Sequence, residues 1–181
     1  MRVLGIDPGL ASLGYALVEL TSEDVIVLSM GCVRTKKTDA KRKVRASDDN
    51  IERIREVFRN LYPLTDGIMA ICSESQSWPR NASACAKVGM AWGVIGALSE
   101  LMDVPILQVS PQQLKKVVCG DGTASKAEVA AALNTRFGRD FSIELVENGV
   151  PSSAHEHPYD ALGAIVSCLD DEVLRLARRL S

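Results

Sequence analysis

Residues 2–34 read RVLGIDPGLASLGYALVELTSEDVIVLSMGCVR. Three short apolar runs lie within this stretch, at 2–7, 13–20 and 25–33, parted by short polar turns. Runs of that length, rich in Val, Ile and Leu and bounded by Pro, Gly, Ser and Asp, predict three strands in an antiparallel meander.

Downstream the pattern changes period. Over 48–61, Ile51, Ile54, Val57, Phe58 and Leu61 recur at helical spacing and predict one apolar helix face. Residues 67–73 (GIMAICS) predict a buried strand, Asn81 to Leu101 a long helix rich in Ala and Gly, and 104–109 (VPILQV) a fifth strand. Ser125-Lys126-Ala127-Glu128 has the form of a capping box and should open a helix running to about Phe137. Phe141 to Ala154, with Gly149 and Pro151, reads as irregular. A last helix is expected from about Pro158 to Leu180, with Leu162, Ile165, Val166, Leu169, Val173, Leu176 and Leu180 on its apolar face. A meander followed by alternating helices and strands defines an α/β class: a five-stranded mixed sheet, order 3-2-1-4-5, flanked by helices. Strands one, four and five would then be parallel neighbours.

The chain has 181 residues, enough for one domain spanning 1–181 with its own core, and 46% of them are hydrophobic, which excludes a disordered polymer. No apolar run is long enough to suggest a membrane span, and Asp7 interrupts the N-terminal apolar stretch too early for a secretory signal. The five cysteines show no CxxC pair. They read as reduced thiols of a cytoplasmic protein, and structural zinc is not expected. The net charge of −2 counts mildly against nucleic acid as a partner. Its distribution points the other way: Lys36 to Arg45 (KKTDAKRKVR) sets six basic residues, among them Lys41, Arg42 and Lys43, against one acid. That run is either a solvated loop or an arm that faces phosphate.

Three acids stand where chemistry is usually built. Asp7 ends the first strand, Glu74 ends the fourth, and Asp160 sits in the first turn of the last helix. Each has a plain structural explanation: a D-P-G turn, the first solvated residue after a buried strand, and an acid at the positive end of a helix dipole. Taken together they are harder to dismiss, because parallel neighbouring strands bring Asp7 and Glu74 side by side at the sheet edge where α/β folds bind ligands. Three carboxylates in one cleft repel one another unless a cation neutralises them, and hard oxygen donors suit Mg2+ or, as a substitute, Mn2+. His157 lies three residues before Asp160, hence on the same helix face, whereas His155 reads as a loop residue. Two ions about 3.5–4 Å apart could clamp one phosphodiester. Asp7 would bridge them, Glu74 would hold one, and Asp160 with His157 the other. No GxSxG or Cys–His spacing suggests a nucleophilic side chain.

Several blocks then resemble one family. Gly5-Ile6-Asp7-Pro8-Gly9-Leu10 with Gly14-Tyr15, and Gly31-Cys32-Val33-Arg34-Thr35, resemble the opening of the RuvC family of Holliday-junction resolvases. Glu74-Ser75-Gln76 with Asn81, Ala82, Gly89, Ala91 and Gly93 resembles the family's Glu strand end and following helix. Gln113 to Val118 with Gly120, Gly122 and Lys126 resembles its basic segment, and His157-Pro158-Tyr159-Asp160-Ala161-Leu162 its closing motif. The resemblance implies an RNase H-like fold, a homodimer, divalent metal, and paired nicks in four-way DNA junctions. It also implies that Lys115 and Lys126 face phosphate. Two positions depart from the pattern: Ser77 stands where the family commonly has Phe, with Trp78 next, and Tyr159 stands where Ala is usual. Trp78 reads either as an aromatic wedge at the junction centre or as a core-edge residue, with Arg80 as a phosphate contact. The departures and the acidic balance suit a divergent member, such as one from a phage or mobile element.

Three other readings compete. One is an RNase H-like nuclease on structured RNA, as in YqgF-type proteins, which lack the long helix after the Glu. A second is a sugar-kinase or actin-like ATPase lobe, which needs two lobes and a second phosphate turn. The third is a non-catalytic junction-binding module, against which the full set of four candidate ligands argues.

Overall fold

The computed structural model describes residues 1–38, 44–75 and 81–180. Strands β1 (Arg2–Asp7), β2 (Ser12–Leu20) and β3 (Val25–Arg34) form the antiparallel meander. β4 (Ile68–Glu74) pairs parallel with β1, and β5 (Ile106–Val109) parallel with β4, giving the order β3-β2-β1-β4-β5. Val3, Leu4 and Ile6 of β1 are all fully buried. A central strand covered on both faces reads this way, as a continuous apolar run.

Helix α1 (Ala46–Leu61) and helix α2 (Ala82–Met102) cover one face, where Leu4, Ile6, Leu13 and Ile71 meet Val57, Leu61, Ile95 and Leu98. On the other face lie α3 (Pro111–Cys119), α4 (Lys126–Phe137), α5 (Phe141–Glu147) and α6 (Glu156–Cys168). Here Val3, Ala16, Val18 and Cys72 meet Leu114, Leu133, Phe141, Leu162 and Ile165. α6 is the central helix of that layer: every residue from Pro158 to Val166 is buried. α7 (Glu172–Leu180) closes the chain, its Arg178 donating to the carbonyl of Thr21.

Several expectations need correction. The segment after β5, to which the sequence reading gave no element, is a helix, because Ser110 and Gln113 cap each other's backbone and Pro111 suits the first turn. Phe141–Glu147 is helical rather than irregular; Asp140 caps it through the Ser142 N–H, and Phe141 and Leu145 bury its inner face. The last helix is two helices. Asp171 accepts from the Val173 N–H and opens a new N-terminus, which rotates the apolar register. Leu174 is therefore buried, whereas Val173 and Leu176 are exposed. On α1 the buried line is Arg53, Val57 and Leu61, which leaves Ile51 outside. α2 is, at 21 residues and a mean hydropathy of 1.2, long and apolar enough by composition to cross a membrane, contrary to the sequence expectation. Its Ala91, Val94, Ile95 and Leu98 are instead committed to the sheet.

Candidate active site at the carboxyl edge of the sheet

Strand periodicity decides which side chains meet α6. Side chains alternate across a sheet with period two. Val3 faces the α6 layer, so Gly5 and Asp7 do too; Ala70 and Cys72 face it, so Glu74 does. Asp7 and Glu74 thus end adjacent parallel strands on one face, with Ile6 opposite Ser73 in the register. The Ser73 hydroxyl donates to the Ile6 carbonyl at 2.8 Å and ties the two strand ends together.

Two glycines let α6 come down onto that edge. A Cβ on Gly5 would strike the Ala161 carbonyl and Ile165, and a Cβ on Gly14 the His157 carbonyl and Pro158. Gly14 pairs with Asp7 in the β1–β2 register, so the first turn of α6 sits over the strand beside Asp7. His157 Nδ1 accordingly lies 2.7 Å from Asp7 Oδ2. One turn on, Asp160 is only 4% exposed and accepts a hydrogen bond from Lys126 Nζ, brought in by the first turn of α4.

The electrostatics are those of crowded acids. Burial, then the charges of Asp160 and Asp7, push Glu74 up to about 7. Burial raises Asp160 to about 6, although Lys126 opposes the shift. Burial alone would lower Lys126; the carboxylates of Asp160, Glu74 and Asp7 outweigh it and hold the ammonium above its ordinary value. The hydrogen bond to Asp7 raises His157 against the opposing effect of burial. Among the described residues no three His, Cys, Asp or Glu side chains converge tightly enough to ligate one ion as they stand. Lys126 on Asp160 and the His157 ring on Asp7 sit against the carboxylates instead. The donor chemistry, three carboxylates and an imidazole with more negative charge than the fold can compensate, fits a hard divalent cation.

The structure thus brings Asp7, Glu74, His157 and Asp160 to one edge. Lys126 belongs in the same cleft, in contact with Asp160, and Lys115 on α3 is near enough for its charge to act on Glu74. Trp78 and Arg80, and Lys41, Arg42 and Lys43, lie outside the described residues. His155 bonds to the Val150 carbonyl at 3.0 Å and takes no part in the site. All five cysteines are free. Sequence reasoning missed Gly5 and Gly14 as seating residues, and the work of Tyr159. The Tyr159 hydroxyl donates to Asn134 at 2.9 Å and its ring packs edge-on against Phe141, locking α6 to α4 and α5.

An antiparallel meander, two parallel strands and a carboxylate pair at the β1 and β4 ends define an RNase H-like fold with a candidate acidic centre. The family model of crossover junction endodeoxyribonuclease RuvC matches residues 3–137. The chain belongs to the RuvC family. Curated relatives of that name include one from Methylococcus capsulatus, 34% identical over 71% of this chain and 72% of the relative. Another, from Prochlorococcus marinus, is 31% identical over 74% and 80%. One from Chlorobium phaeobacteroides is 28% identical over 99% and 84%, a span that reaches the α6 motif beyond the family model's match. Among solved structures, T. thermophilus RuvC in complex with Holliday junction substrate is similar over 99% of this chain and 96% of that one, with TM-score 0.69 and 27% identity. The fowlpox virus Holliday junction resolvase, at 13% identity and TM-score 0.53, shares the fold.

Proposed function

We propose that this protein is a divalent-metal-dependent endonuclease that resolves four-way DNA junctions by paired nicks. The observation that carries the reading is the meeting of Asp7 and Glu74, from adjacent parallel strands, with His157 and Asp160 of α6. Relatives that bear the RuvC name, and a relative solved with a Holliday junction, supply the substrate class.

Asp7, Glu74, His157 and Asp160 would together hold the two ions. Bound Mg2+, or Mn2+ in its place, would supply water activation and neutralise charge on the phosphate. The chain's own residues do the rest. The buried face of α6 fixes Asp160 and His157 relative to the strand ends. Lys126 compensates Asp160 before cations arrive, and can turn to phosphate once they take over that task. Lys115 adds positive charge on the same side of the cleft. The basic run at 36–45 supplies further phosphate contacts through Lys41, Arg42 and Lys43. Trp78, assigned from sequence, stacks on an unpaired base at the junction centre with Arg80 on phosphate; such stacking contributes about 1–3 kcal/mol per base.

Paired incision asks for two copies related by a two-fold axis. On α2 only Ala91, Val94, Ile95 and Leu98 are buried, and a groove of about 790 Å³ runs between α1 and α2 over Ile54, Phe58, Met90, Val94 and Ala97. That surface suits a homodimer. Five free thiols suit a reducing compartment such as the cytoplasm.

The test is a Mg2+-dependent cleavage panel of four-way, three-way and flap DNA, plain duplex and an RNA hairpin. The four-way junction should be cut at symmetric positions on opposite strands and the RNA left intact. Cleavage of the hairpin with the junction untouched would overturn the reading.

A further inference from the structure

Arg53 of α1 is a charged side chain only 4% exposed, set beside a polar pocket that it shares with Thr38, Asp49 and Glu56. Its Nε donates to Thr35 Oγ1 at 2.7 Å, and Thr35 is itself buried. The Thr35 hydroxyl passes the link on by donating to the Leu10 carbonyl, while the Thr35 N–H donates to the Ala11 carbonyl at 3.1 Å. Leu10 and Ala11 belong to the turn that leaves Asp7 and enters β2.

A second limb runs the other way. Arg53 Nη1 lies 3.9 Å from Asp49 Oδ2, and Asp49 Oδ1 accepts from both the N–H and the hydroxyl of Thr38, each at 2.7 Å. Thr38 sits within the basic run, beside Lys36 and Lys37. Among the described residues, Arg53 Nη1 is buried with no hydrogen-bond partner. A guanidinium in such a place is costly to desolvate, and a side chain needed only for packing would be apolar.

We propose that Arg53 is a positioning residue. Through Thr35 it holds the turn after Asp7, and through Asp49 it holds Thr38 beside Lys36 and Lys37, so that these two lysines and the strand end carrying Asp7 keep a fixed spacing. The inference rests on the junction-nuclease reading for its functional consequence, but its structural half stands on contacts that can be tested without substrate.

The experiment compares wild type, Thr35→Val, Asp49→Asn, Arg53→Met and Arg53→Lys. Hydrogen exchange over residues 9–11 reads the first limb directly and should quicken in Thr35→Val and Arg53→Met but not in Asp49→Asn. Unchanged exchange in both overturns the inference, whatever the protein cleaves. With junction DNA, Thr35→Val should lower kcat by about 10- to 100-fold, the loss that a shift of about 1 Å in a reacting group produces, with metal-free Kd unchanged. Asp49→Asn should weaken junction binding and leave kcat at saturating junction intact. Arg53→Met combines both losses, and Arg53→Lys recovers part of each. If all variants lose thermal stability while kcat and Kd per folded molecule stay at wild-type values, Arg53 is structural only. Should Arg53→Met fail to fold, the two single-limb variants decide. A wild type that cuts no junction overturns the nuclease reading instead, and leaves the exchange result standing.

Discussion

His157 Nδ1 lies 2.7 Å from Asp7 Oδ2, across 150 residues of chain. The contact exists because Gly14 has no side chain. β2 pairs with β1 so that Gly14 stands beside Asp7, and the His157 carbonyl occupies the space a Cβ would need. Gly14→Ala should therefore lift the first turn of α6 off the sheet and part His157 and Asp160 from Asp7. Overpacking of this kind costs about 1–3 kcal/mol, and the displaced ligands should cost about 100-fold in kcat. Thermal melts and single-turnover cleavage measured on the same preparation check this; wild-type kcat in a folded Gly14→Ala protein would refute the seating role.

Asp160 at about 6 and Glu74 at about 7 stand above their ordinary values of 3.8 and 4.5, chiefly through burial. From about pH 4 to 7 the metal-free folded protein thus holds more protons than the unfolded chain, and its stability should fall as pH rises through that window. Cations must displace those protons and compete with the His157–Asp7 hydrogen bond. The Mg2+ concentration for half-maximal cleavage should fall at least about tenfold between pH 6 and 8, for one proton displaced, and level off above pH 8. Titrations at pH 6, 7, 8 and 9 measure it; a half-saturation point that does not move with pH would be the contrary result.

Glu74 has a carboxyl raised by burial and by two neighbouring acids, so its charge is a liability without metal. Glu74→Gln should abolish cleavage yet raise the metal-free melting temperature at pH 8. Water still reaches and screens this partly buried group, so the gain should be about 1 kcal/mol, or roughly 2–4 °C for a chain of this size. A lower melting temperature at pH 8 would show that Glu74 is held by favourable contacts instead.

The surface proposed for dimerisation gives a prediction of its own. Replacing Met90 or Ala97, both lining the groove between α1 and α2, with Asp should split the homodimer. Paired incision should give way to single nicks. Sedimentation of the wild type as a monomer at micromolar concentration, with junction present, would remove the surface from the account.

Sheet order, strand polarity and the placement of Asp7 and Glu74 were legible because period-two alternation and the meander turns are local signals. The contact between Lys126 and Asp160 was not: a capping box announces α4, but where its lysine points depends on how α4 packs against α6. Gly14 was equally hidden, since a strand glycine declares its purpose only when the neighbour it admits is known. The apolar pattern runs past Cys168 without a breaker, so only Asp171 capping Val173 reveals that α6 has ended. Arg53 breaks the helix-face rule, and the buried polar pairing that permits it comes from Thr35, on a different element.

The central claim is that Asp7, Glu74, His157 and Asp160 form one metal-dependent cutting centre. Its most direct test is single-turnover cleavage of a synthetic four-way junction by wild type, Asp7→Asn and Asp160→Asn across a Mg2+ titration, with metal-free junction binding measured in parallel. The account predicts symmetric nicks by wild type that vanish on chelation, no cleavage by either folded variant, and junction binding that persists or tightens because a negative charge facing phosphate is gone. Near-wild-type Mg2+-dependent cleavage by either variant would contradict it.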